Sequence, residues 1–197
     1  MQLNRPFCLL VTAILLGGCQ ISPYSRSVPV TIETTLGNIE IEVDPVAAPI
    51  TTKNFLRYVD GGFYEGGTFF RTVRMDNQPN SNIRIEVIQG GANLEREDEF
   101  FSPIILERTN LTGIRHLDGV ISMARGAPDS ATHSIFICIG DQPSLDFGGM
   151  RNPDGQGFGA FGKVVGGMDV VLQIQAGGAD GQRLVEPVVI ERIVRHE

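Results

Sequence analysis

The chain has 197 residues, 42% of them hydrophobic and 20% charged, which is the composition of one globular domain with a little length to spare. Sixteen Lys and Arg stand against 23 Asp and Glu, a net charge of −7, which argues against a phosphate-backbone binder and against polybasic attachment to an anionic membrane. No run of about 18 apolar residues occurs, so no transmembrane helix is expected, and 24 Gly with 11 Pro favour a turn-rich β architecture over a helical bundle.

Residues 1–18 read as a signal peptide. Arg5 and the amino terminus supply the positive end, and Phe7 to Leu16 form an apolar run too short to span a bilayer. Leu16-Gly17-Gly18-Cys19 follows directly and resembles a bacterial lipobox, which implies cleavage before Cys19 and acylation of its thiol and amine. Acyl chains on one residue give a durable anchor, because each buried methylene contributes about 0.8 kcal/mol. Gln20 in place of Asp implies the outer membrane if the source is Gram-negative, with the domain facing the periplasm. Residues 19–28 then form the lipidated Cys and a tether, and residues 29–197 the folded domain. With Cys8 removed and Cys19 acylated, only Cys138 remains, so no intramolecular disulfide can form.

In the body, Val30 to Thr34 and Ile39 to Val43 alternate around Leu36-Gly37-Asn38 and predict a β-hairpin. Ile50, Phe55, Leu56 and Val59 are spaced for a helix from Pro49, ended by Gly61-Gly62. Strands are predicted at 68–74, 83–89, 103–107, 119–124, 134–139 and 158–164. A second short helix is predicted over 166–176 and a closing strand over 187–195. Eight or so short strands with two helices suggest a closed barrel with helical caps; a sandwich is the alternative. Ile135, Ile137 and Ile139 share one strand face and Ser134, Phe136 and Cys138 the other. One apolar face can fill a barrel while the other underlies a groove.

Several chemistries find no residues. There is no Gly-x-Ser-x-Gly elbow around any serine. The histidines, His116, His133 and His196, form no ligand cluster, so no metal and no cofactor are expected. Gly155-Gln156-Gly157 lacks the Lys-Ser/Thr of a phosphate loop. A reaction without bond cleavage fits this inventory.

Three segments resemble the cyclophilin family of peptidyl-prolyl isomerases. They are Tyr64-Glu65-Gly66-Gly67-Thr68-Phe69-Phe70-Arg71, Val87-Ile88-Gln89-Gly90-Gly91, and Gly119 to Arg125 followed by Ser134 to Cys138. Leu145-Asp146 and Phe161-Gly162-Lys163-Val164 match further on. The resemblance runs from about Val30 to Arg195. It implies a closed eight-stranded antiparallel barrel capped by two short helices. It puts the catalytic Arg on Arg71, with Gln89 holding it or the peptide backbone, and a substrate surface on Val87, Ser134, Phe136, Leu145 and Phe158. A second register would put that Arg on Thr72, but the one anchored on Tyr64 and Gly66 needs no gap.

The sequence departs from the family at several points. Phe70 replaces a His, Ser134 a backbone-binding Gln, Ser144 a Trp and Phe158 a pocket His, and about ten extra residues separate Arg71 from Gln89. The resemblance implies isomerisation of X–Pro bonds in proline-containing polypeptides, and the signal adds the expectation that these are exported proteins in the course of folding. The alternative is a catalytically weak peptide-binding or scaffold module of the cell envelope. A monomer is expected, with no nucleic-acid partner and membrane contact only through the lipid.

Overall fold

The computed structural model describes residues 27–196; the expected signal peptide and the expected lipidation site at Cys19 lie outside the described residues. β1 (Val28–Thr34) and β2 (Gly37–Val43) form the expected hairpin, paired Val30↔Ile41 and Ile32↔Ile39. α1 (Pro49–Asp60), β3 (Thr68–Val73), β4 (Val87–Gly91), the short α2 (Thr109–Thr112), β5 (Val120–Met123), β6 (Ile135–Cys138), β7 (Gly159–Gly166), α3 (Met168–Gln175), β8 (Ala179–Asp180) and β9 (Arg183–Arg195) follow.

Neighbouring strands run in the order β1-β2-β7-β5-β6-β4-β3-β9, and β9 pairs back onto β1, so eight strands close into a barrel. Every pairing is antiparallel, and β8 adds only a two-residue hairpin to β9. Closure removes the free sheet edges on which other chains could pair. It also sorts side chains by parity. Ile32, Ile39, Ile41, Phe69, Ile88, Ile121, Ile135, Ile137 and Phe161 point inward and are buried.

The two longer helices pack on this barrel, α1 against β9 and β7, α3 against β2, β3 and β4. Phe55 of α1 lies 5.2 Å from Phe161 of β7 and 5.7 Å from Tyr64, ring centre to ring centre. Val170, Val171 and Ile174 of α3 join the same core. Pro49 opens α1, where a missing N–H costs nothing. The next two amides donate to the Glu107 carboxylate, Ile50 N at 3.1 Å and Thr51 N at 2.7 Å. Gly167, the residue before α3, has φ +78° and its missing Cβ would lie 2.2 Å from Asn38 O. Only glycine fits there.

Three sequence expectations are corrected. Residues 103–107 form no strand; a single bridge joins Ile104 to Ala131. Ile105 is exposed, so that apolar run crosses the surface and ends in the Glu107 cap of α1. The strand expected from 83 begins only at Val87, because the Gln78 side chain takes the backbone of Ile85 on both its N–H and its C=O. The last strand starts at Arg183, four residues earlier than expected, pairing with β8 and β3 before it reaches β1.

Phe55→Ala should cost about 3–5 kcal/mol in urea unfolding, the usual penalty for emptying a buried aromatic site. Phe55→Leu should cost clearly less. A loss below about 1 kcal/mol for the alanine variant would mean that α1 is not part of the cooperative core.

Candidate active site

The site lies on the outer face of β3, β4 and β6. Val73 pairs with Val87, and Val87 with Cys138; two rungs along, on the same face, Arg71 pairs with Gln89, and Gln89 with Phe136. The ladder slips between Phe69 and Arg71, leaving Phe70 as an unpaired bulge residue. A bulge re-aims the residues around it. Phe69 stays in the core, while Arg71 comes out opposite Gln89. Thr72 faces inward, fully buried, with its hydroxyl donating to Gln175 O at 2.9 Å. The register anchored on Tyr64 is therefore the one whose cation reaches the outer face.

The Arg71 guanidinium is fixed from two sides. Nη1 donates to Gln89 Oε1 at 2.6 Å, while Nε and Nη2 both donate to Gln182 Oε1 at 3.0 and 2.5 Å. Gln89 Nε2 in turn donates to Ser134 Oγ at 3.0 Å, and Ser134 Oγ donates to Gly90 O at 3.0 Å. A guanidinium has five N–H groups. Three are used, so each terminal nitrogen keeps one N–H for a ligand. Burial pulls the Arg71 pKa down, and the charge of Arg151 adds to the effect. The group nonetheless remains a cation at any working pH.

Beside Arg71 is a second apolar cluster, separate from the barrel interior: Val73, Ile85, Val87, Phe136, Cys138 and Leu145, with Phe158 and Ala124 against it. Phe136 and Phe158 meet edge to face at 5.5 Å and 90°. The site residues named from the sequence thus fall into two adjoining groups. Arg71, Gln89 and Ser134 form the polar chain, and Val87, Phe136, Leu145 and Phe158 the apolar patch. Cys138 sits within that patch, and burial pushes its thiol pKa up, so it acts as a small hydrophobe. On the other side of Arg71 is a cavity of about 590 Å³ lined by Thr68, Phe70, Leu94, His133, Gln182 and Pro187, among others.

Sequence reasoning missed four supports. Gln182 is one. His116 is another, lying parallel behind the Phe136 ring at 5.8 Å with Nδ1 bonded to Asp146 Oδ1 at 2.8 Å and Nε2 to Ser122 Oγ at 3.0 Å. Ser122 and His116 are both buried, 0% and 1% exposed, so this Ser-His-Asp chain cannot meet a substrate and acts as a buttress for Phe136. Burial works to raise the Asp146 pKa, but the bonds from His116 and Arg115 outweigh it and hold the carboxyl below its ordinary value. The third and fourth supports are Arg125 and Asp154. The Arg125 guanidinium lies 5.0 Å over the Phe158 ring and bonds both Asp154 oxygens at 2.7 and 2.8 Å. Arg125 sits in the third motif, but nothing local marks Asp154 as its partner.

A closed antiparallel barrel with an arginine, a glutamine and an aromatic patch on its outer sheet is the cyclophilin architecture. The model of the cyclophilin-type peptidyl-prolyl cis-trans isomerase family matches residues 29–195, and the chain belongs to that family. It is similar to a peptidyl-prolyl cis-trans isomerase of Acinetobacter baylyi, 40% identical over 167 residues that cover 82% of this chain and 80% of the relative. It is also 35% identical to peptidyl-prolyl cis-trans isomerase B of Escherichia coli, over 85% of this chain and 99% of that one. A crystal structure of a cyclophilin-type isomerase from Cryptosporidium parvum matches with a TM-score of 0.67, covering 87% of this chain and 99% of that one, at 20% identity. The fold and the family agree, and the activity is peptidyl-prolyl cis-trans isomerisation.

The Arg125–Asp154 pair makes a pH prediction. The two Arg125 bonds, helped by the Gln156 N–H, hold the Asp154 carboxyl down at about 2. An unfolded Asp titrates near 3.9. The pair's contribution is therefore full above about pH 4 and is lost as pH falls through about 2. Asp154→Asn should unfold at a lower temperature than the wild type at pH 7, with the gap closing between about pH 4 and pH 2. A gap that stays constant through that window would show that the carboxylate charge is not what Arg125 uses.

Proposed function

We propose that Arg71 is the transition-state donor of this isomerase, that the apolar patch seats the proline ring, and that the clients are exported polypeptides met at the cell envelope. An X–Pro bond resists rotation because the amide is conjugated, with a barrier of about 18–20 kcal/mol. As the bond twists, the proline nitrogen loses conjugation and becomes pyramidal, exposing a lone pair. A ring held against Phe136 and the half-buried Phe158, with Val87 and Leu145 packed behind them, stays still while the preceding carbonyl turns. The free N–H groups of Arg71 then engage the proline's own carbonyl and the developing lone pair. Because the donors are already held, they need little reorganisation when the charge appears. Gln89 positions Arg71, and Ser134, whose one O–H goes to Gly90 O, keeps a single lone pair for a client N–H where the family has a longer amide. No proton is transferred and no covalent bond breaks.

The observation that carries this reading is the Arg71 guanidinium held by two neutral amides beside the aromatic patch. A related Cryptosporidium parvum structure was solved in the presence of the dipeptide Ala-Pro, which supports proline-containing peptides as the ligand class. The test is a protease-coupled isomerisation assay. Arg71→Ala should lower kcat/KM about tenfold to a hundredfold, equivalent to roughly 1.4–2.7 kcal/mol of transition-state stabilisation, with the fold intact. Arg71→Lys should recover only part, because an ammonium keeps the charge without the planar fork. Activity unchanged in Arg71→Ala would overturn the assignment.

The envelope part of the reading rests on Leu16-Gly17-Gly18-Cys19 directly after the apolar run. Intact-mass measurement of the membrane fraction should find diacylglyceryl and acyl mass on the wild type and none on Cys19→Ser, which should become soluble. A wild type without acyl mass would end the anchor idea and leave the isomerase reading untouched.

A further inference from the structure

From the two-sided hold on Arg71 we infer that Gln182, on the turn between β8 and β9, is a positioning residue for catalysis, braced by the segment inserted between β3 and β4. The inference rests on Arg71 being the donor, as proposed above. Gln182 Oε1 accepts two of the three N–H bonds that fix the guanidinium, one from Nε and one from Nη2. Gln89 accepts only the third, through Nη1. A single acceptor on Nη1 leaves the guanidinium free to swing about its Nε–Cδ bond. A second acceptor on the opposite edge fixes the plane, and with it the direction of the two free N–H groups.

The turn that carries Gln182 is itself held. Thr72 N donates to Gln182 O at 2.9 Å, and Gln182 Nε2 lies 3.4 Å from its acceptor, Asn77 O. Asn77 lies in the segment of about ten residues that the motif spacing marked as extra. Its side-chain amide donates to Gly181 O and to Thr72 O, both at 3.0 Å. Asn77 Oδ1 accepts from Arg74 N at 2.8 Å, and Arg74 Nη1 donates to Gln175 O and Gly177 O just before β8. One asparagine thus joins β3, the inserted loop and the β8–β9 turn. The inserted segment has a specific job on this reading: it staples a 111-residue-distant turn so that the turn's amide reaches Arg71.

Neutral acceptors suit this role. A carboxylate in the place of Gln182 would offset the positive charge that the proline carbonyl is to meet, whereas an amide orients the guanidinium and leaves its charge intact. The orientation in which Oε1 faces Arg71 is also the only one in which both ends of the Gln182 amide find partners, since Arg71 has no acceptor and Asn77 O no donor.

Gln182→Leu removes the acceptor and keeps the backbone bond from Thr72. NMR exchange spectroscopy on an Ala-Pro-containing peptide gives turnover at saturation, and titration of the same peptide gives its Kd. Expected is a fall in kcat of at least about fivefold, with Kd changed less than about twofold and an unchanged unfolding midpoint. The Arg71 Nε–H resonance should shift and broaden. Gln182→Glu, which keeps an acceptor but brings a charge that offsets the guanidinium's, should restore a sharp Arg71 Nε–H resonance while recovering only part of kcat. In an Arg71→Ala background, Gln182→Leu should have no further effect. If Arg71→Ala is impaired while Gln182→Leu turns over like the wild type, or if Gln182→Leu costs the same with Arg71 absent, the positioning role is wrong although Arg71 remains the donor. If Arg71→Ala is itself unimpaired, the donor assignment falls and this inference with it. Should Gln182→Leu fail to fold, Asn77→Ala is the second variant, and a sharp, unshifted Arg71 Nε–H in it would equally refute the brace.

Discussion

Closure of the barrel through β1 and β9 is the constraint from which the rest follows. Once eight antiparallel strands have no free edge, every strand must offer one side chain in two to the interior. On most strands the other side can be polar, as Glu33, Glu40 and Glu42 are on the first hairpin. On β4 and β6 it is not. Val87, Phe136 and Cys138 are as buried as the isoleucines between them, because the turns after β6 and before β7 fold back over them with Leu145 and Phe158. A second apolar patch outside a filled barrel needs a reason beyond stability. On the proposed reading the reason is a seat for a proline ring, reached through Phe136 and the half-buried Phe158, that leaves the core closed.

The bulge at Phe70 is what puts a cation beside that patch. With regular alternation Phe69 inward would leave Phe70 outward and return Arg71 to the interior, where an unpaired guanidinium is prohibitively costly. One unpaired residue resolves the conflict and brings Arg71 out opposite Gln89. Its neighbours are then amides and a hydroxyl, and no carboxylate among the described residues lies within 4.0 Å of it. An ion pair would hold the group as firmly, yet it would take up the charge and the N–H groups that the proposed mechanism assigns to the twisted proline. Neutral partners fix direction alone.

Much of this was legible in the sequence. The alternation of Val30 to Thr34 and Ile39 to Val43 marked the first hairpin, and the spacing of Phe55 and Val59 marked α1. The two faces of Ile135 to Cys138 anticipated two apolar environments, and the family motifs assigned Arg71, Gln89 and Phe136 to one site, which the structure puts on one rung. Two kinds of feature were hidden. Pro103-Ile104-Ile105-Leu106-Glu107 has a strand's composition, but pattern cannot tell a run that pairs from one that crosses the surface to cap a helix. Gln182, His116 and Asp154 act through partners 111, 20 and 29 residues away, so their local sequence carries no signal. Arg71, Gln89, Val87 and Phe136 sit in strands with periodic constraints; Gln182, His116 and Asp154, which hold the site, sit in turns and loops with none.

Those turns are also where the chain departs from its family, and the departures are connected. Phe158 stands where a pocket histidine is expected, and its ring is covered by Arg125, which Asp154 holds from the far side of the same loop. Arg151, on that loop, reaches across to Ser81 Oγ at 3.0 Å and Ile83 O at 2.7 Å in the inserted segment. The inserted segment in turn binds the β8–β9 turn through Asn77. Three loops from distant parts of the chain therefore form a continuous polar frame around the apolar patch and Arg71. A catalyst of bond rotation must hold its ligand tightly at one end and let the other turn, so its rigidity has to lie in the surround and not in contacts to the moving group. Here β3, β4 and β6 supply the base of the surface, and the loops, tied to one another, close over it and supply that rigidity.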